Sequence, residues 1–152
     1  MDLVKNATRE VLLPVDKMER MDTGLLLFTN DPEMAERMRA PGTKFRQLYH
    51  VTLRQKFRAE NLVDMVKGVQ TERGFIKAST AEFIDESKKP KEIGVEMHSN
   101  RPKALTIMLE HFGYEVERLD RTVLGPLTKK DLPRGHWRTL NREELNLLRM
   151  SL

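Results

Sequence analysis

The sequence predicts an α+β domain with a mainly antiparallel mixed sheet and flanking helices. Two stretches alternate apolar and polar residues. In Leu48–Arg54, Tyr49, Val51 and Leu53 oppose His50, Thr52 and Arg54; in Ile93–His98, Ile93, Val95 and Met97 oppose Glu96 and His98. A period of two puts one face of a strand in a core and the other towards water. Ala59–Lys67 and Pro102–Phe112 instead carry apolar residues at helical spacing. Runs of strands with a few helices set against them indicate α+β with a mainly antiparallel sheet.

Taken in order, Met1–Leu13 reads as a short helix leading into a strand, and Val15–Thr23 as a charged loop after Pro14. The unbroken apolar run Leu25 to Phe28 predicts a short strand buried on both faces. Asp31 is a helix N-cap with Pro32 at the first helical position, the helix running to about Arg39 and stopping at Pro41-Gly42. Ala59–Lys67 should turn Leu62, Val63 and Val66 inward and end at Gly68. Phe75–Lys77 and Ser79–Ile84 read as strands, with Asp85–Lys91 a charged turn before the alternation of Ile93–His98. Leu105, Met108, Leu109 and Phe112 mark the inner face of the next helix, and Gly113 its end. Val116–Val123 is a strand, Leu124–Gly135 a loop punctuated by proline and glycine, and His136–Leu140 a further short strand. Asn141 with Glu144 three residues on forms a capping box for the last helix.

A length of 152 residues suits one domain. With 39% apolar and 33% charged residues, the expectation is a soluble, cytoplasmic protein with no membrane partner. Cysteine is absent, which excludes a disulfide framework and thiolate chemistry. No histidine or acid spacing suggests a metal site. A net charge of +4 and a pI near 9.4 draw the chain towards polyanions.

The charged loop, glycine and apolar run of Val15–Asp31 place polar side chains beside a buried strand, a frequent setting for chemistry. This stretch resembles the catalytic segment of the RsuA/RluB-type rRNA pseudouridine synthases, Val-Gly-Arg-Leu-Asp-x-x-Thr-x-Gly-Leu-Leu-Leu-x-Thr-Asn-Asp. Val15, Gly24, Leu25, Leu26, Leu27, Thr29, Asn30 and Asp31 match, while Asp16-Lys17-Met18-Glu19 stands at Gly-Arg-Leu-Asp. The resemblance continues through Leu48–Leu53, Gly74–Ala78, Ile93–Ser99 and Met108–Val116, and is most specific in Leu119-Asp120-Arg121-Thr122, Gly125-Pro126-Leu127 and Leu132–Leu140.

The resemblance implies a single pseudouridine synthase-like catalytic domain over residues 1–152, shortened at its N-terminus. The family's N-terminal RNA-binding domain and first strands would be absent, leaving a sheet edge that invites self-association. It implies isomerisation of uridine to pseudouridine in ribosomal RNA, by base flipping and without a cofactor. Glu19 falls on the nucleophilic aspartate, with Asp22 as the weaker alternative. Tyr49 falls on the tyrosine that packs near the flipped uridine, where plain core packing is the competing reading. Lys17, Arg101 and Lys103 fall on RNA-contacting cations, against the duller reading of surface charges. The family's paired arginines become Thr106 and Ile107, and its lysine before the tyrosine becomes Gln47. Three readings follow: an active synthase, a catalytically impaired member acting as an RNA- or ribosome-binding module, and a protein-interaction module using the uncovered edge. Trp137 and Arg138 are expected to hold the C-terminal strand in place.

Overall fold

The computed structural model of the protein describes residues 4, 8–15, 22–40, 46–99 and 103–152. Its elements are β1 (Leu13–Pro14), β2 (Asp22–Gly24), β3 (Phe28–Thr29), α1 (Pro32–Arg39), β4 (Arg46–Leu53), α2 (Ala59–Lys67), β5 (Val69–Thr71), β6 (Gly74–Ile76), β7 (Thr80–Asp85), β8 (Lys89–His98), α3 (Ala104–His111), β9 (Val116–Leu124), β10 (Leu127–Thr128) and α4 (Arg142–Met150). Among the described residues the main sheet runs β10-β9-β4-β8-β7, antiparallel throughout, with β2 added to β9 in parallel. The expected α+β fold is therefore present.

Register follows the hydrophobic alternation. Val51 lies opposite Ile93 and Leu119, and Tyr49 opposite Val95 and Arg121. Val51, Leu53, Ile93 and Val95 are at most 1% exposed, against Met65 of α2 and Met108 and Leu109 of α3, each 0% exposed. Each such side chain contributes about 1.5–3 kcal/mol by leaving water. A second, smaller cluster gathers Val15, Met38 of α1 and Leu148 of α4, with Leu27, Met34 and Leu140 beside it.

Local signals set the helix ends. The Asp31 carboxylate accepts from the amides of Glu33 and Met34 at 3.0 and 3.3 Å, and Asn141 and Glu144 form the full capping box. Pro41-Gly42, the expected stop of α1, lies outside the described residues, as do residues 1–3 and 5–7 of the N-terminal stretch.

Four expectations need correction. Leu25–Phe28 is not a strand buried on both faces: pairing ends at Gly24, residues 25–27 are irregular, and the run is half-buried. The Leu25 carbonyl is bound by a side chain, so the ladder cannot continue through it. Asp22 and Thr23, expected in the loop, already belong to β2. In α2 the inner face is rotated: Asn61 and Met65 are buried while Val63 is 54% exposed. Asn61 can turn inward because its carbonyl accepts from the Tyr114 hydroxyl at 2.6 Å. Finally, His136–Leu140 forms no strand. Trp137 is 42% exposed, and Arg138 pairs with Glu144 at 2.6 Å, bracing the start of α4.

Candidate active site

The site is built around β9. Leu119 and Arg121, two apart, share the face of the strand that looks towards the core, so a guanidinium is drawn inside: Arg121 is 4% exposed. A buried charge persists only when well hydrogen-bonded. Nε and Nη2 of Arg121 donate to the Leu25 carbonyl at 3.0 and 2.7 Å, and Nη1 donates to Oε1 of Gln47 at 3.4 Å. The Leu25 amide donates in turn to the Arg121 carbonyl at 2.9 Å. Leu25, six residues after Glu19 in sequence, is thus held by both the backbone and the side chain of one arginine.

Gly24 makes this approach possible. Its φ is +95°, and a Cβ there would fall onto the Arg121 carbonyl. Only glycine combines that backbone with that contact.

Tyr49 stands on β4 directly across from Arg121, half-buried. Its hydroxyl donates to Oε1 of Gln47 at 2.6 Å, and Nε2 of Gln47 donates to the Ser99 carbonyl. Ser99 and Lys103 flank residues 100–102; Lys103 is exposed, with φ +60°, at the N-cap of α3. Asp22 pairs with Leu119, two residues along β9 from Arg121, and is half-buried.

Of the residues singled out from sequence, Tyr49, Asp22 and Lys103 have a described place. Glu19, Lys17 and Arg101 lie outside the described residues. Tyr49 and the strand leading from Glu19 meet on opposite sides of β9. Arg121 and Gln47 were missed as site residues. The available signal was a charged residue two positions from Leu119, on the core-facing side of a strand. Among the described residues no cluster of histidine and acid could hold a metal, and no helix is long and apolar enough to cross a membrane.

The fold is shared with a solved pseudouridylate synthase, which superposes with a TM-score of 0.77, at 22% identity, over 90% of this chain and 59% of that one. At that identity the match concerns fold alone. Sequence adds the rest. An uncharacterized RNA pseudouridine synthase of Aquifex aeolicus is 31% identical over 144 residues, covering 95% of this chain and 57% of the relative. Ribosomal large subunit pseudouridine synthase B of Escherichia coli K12 is 30% identical over 138 residues, and that of Vibrio cholerae 29% over the same length. Each aligns with 90% of this chain, and with 47% and 43% of its own length. No family model matches the chain. These relatives support an RsuA/RluB-type pseudouridine synthase family for the chain, which spans about half the length of the curated relatives it matches.

Proposed function

We propose that this chain isomerises uridine to pseudouridine in ribosomal RNA, with Glu19 as the attacking carboxylate and Asp22 as its weaker substitute. The supporting observation is the convergence on β9 of Tyr49 with the strand that follows Glu19. In this reading the RNA flips the target nucleotide out, Tyr49 lies against the base, and Lys17, Arg101 and Lys103 meet the phosphates. The bond from N1 to C1′ breaks and a bond from C5 to C1′ forms. C5 gives up a proton and N1 gains one, so nothing is oxidised and the chain's own side chains suffice without a cofactor. Glu19 reaches one methylene further than the family's aspartate, a shift of roughly 1 Å that can cost about a hundredfold in rate. The protein would work in the cytoplasm on ribosomal RNA, and self-association through an exposed sheet edge belongs to the same proposal.

The test incubates the native chain, Glu19→Asp and Glu19→Gln with unmodified ribosomal RNA and maps pseudouridine by reverse-transcription stops. Product from the native chain, raised by Glu19→Asp and abolished by Glu19→Gln, is the expected result. Product only from Glu19→Asp would identify a disabled site. RNA binding without product from any variant would make the domain a binding module.

A further inference from the structure

We propose that Gln47 and Arg121 are positioning residues of this site, and that together they fix the Tyr49 hydroxyl as a hydrogen-bond acceptor towards the substrate. The inference rests on the synthase reading above. Its starting point is the chemistry of one amide. Oε1 of Gln47 is met by a guanidinium N–H at 3.4 Å, and the amide nitrogen meets the Ser99 carbonyl. Turning the amide over would set N–H against N–H on one side and carbonyl against carbonyl on the other. The amide therefore has one orientation.

Tyr49 must then donate its only hydroxyl proton to Oε1, at 2.6 Å. What the phenol oxygen offers a ligand is lone pairs. The complementary group on a nucleoside is a donor, either an imide N–H of the base or a ribose hydroxyl. A base presenting only acceptors at that point would meet lone pair against lone pair.

The same contacts tie together three separate stretches of chain. Arg121 holds the Leu25 carbonyl, just past the segment bearing Glu19. Gln47 holds the Ser99 carbonyl, just before the segment bearing Arg101. Tyr49 hangs from Gln47 between them. Gln47 is 8% exposed and Arg121 4%, so neither is placed to touch RNA directly, and both act through what they hold.

The experiment measures pseudouridine formation and RNA affinity separately for Gln47→Leu, Gln47→Glu, Tyr49→Phe and the double variant Gln47→Leu/Tyr49→Phe. Glutamate keeps an acceptor oxygen for Tyr49 and Arg121; leucine keeps only the bulk. Gln47→Leu should lower kcat roughly tenfold to a hundredfold with RNA affinity within about twofold. Gln47→Glu should recover the part of that loss that passes through Tyr49 and Arg121 but not the hold on the Ser99 carbonyl. The losses in the double variant should be less than multiplicative, since both single variants remove the bond between Tyr49 and Gln47. Gln47→Met replaces Gln47→Leu if the branched side chain prevents folding. Wild-type kcat in the leucine or methionine variant, a loss confined to RNA affinity, or independent losses in the double variant would overturn the positioning role while leaving the synthase reading intact. No product from the native chain would overturn the synthase reading and the positioning role with it.

Discussion

Gly24 has a backbone that other residues reach only at a cost, pressed against a carbonyl that cannot move without breaking the sheet. Gly24→Ala should therefore cost about 2–4 kcal/mol in urea unfolding, more than the roughly 1 kcal/mol of a strained φ alone. A loss below about 1 kcal/mol would mean that β2 does not sit against β9 as described. The glycine was legible beforehand as a match to a family motif, but its reason was not, because the partner atom belongs to a residue 97 positions away. Arg121 was hidden for the same cause. Its charge looks like surface until β9 is known to lie between β4 and β2. Tyr49 was read as either core or site, and it is half-buried because its ring shares a face with Val51 while its hydroxyl reaches Gln47. Alternation thus placed the tyrosine on its strand, the resemblance gave it a candidate role, and only the fold exposed what holds it.

Elements with strong local signatures were read with little error. The ends of α1 and α2 match the structure because Asp31, Pro32 and Gly68 act on their own neighbours. Helix α4 starts at its capping box for the same reason. Failures came where a distant group decided the outcome, as for the rotated face of α2 and the irregular Leu25–Leu27. Two predictions belong to this scale. Asn141→Ala should cost about 1 kcal/mol and lower the melting temperature, a standard loss for a removed N-cap. Its neighbour Glu144 is held at a pKa of about 2, chiefly by its hydrogen bond to Arg138 and next by the Asn141 amide. A carboxylate with a depressed folded pKa adds stability that is complete above its ordinary value near 4.5 and fades as pH falls towards 2. Acid titration followed by circular dichroism should show this fading in the native chain, and Glu144→Gln should remove that part of the pH dependence. An unchanged profile in Glu144→Gln would sever the link between this ion pair and α4.

For the whole molecule, the excess of +4 charges matters most when the partner is RNA. Affinity should fall steeply with salt, and Lys103→Ala should reduce the slope of log affinity against log salt by roughly 0.7 to 1 if that lysine meets one phosphate. An unchanged slope would place Lys103 off the RNA path. The separate clustering of Val15, Met38 and Leu148 has its own consequence. Among the described residues three buried side chains gather at α1 and α4, whereas sixteen form the main cluster beneath β4, β8 and β9. The smaller assembly can therefore open while the larger one stays shut, and deuterium should enter the amides of α4 well before those of β8. Because Leu27 leans on that smaller assembly and Leu25 hangs from Arg121, this short stretch is tethered to rigid ground at one end and to yielding ground at the other.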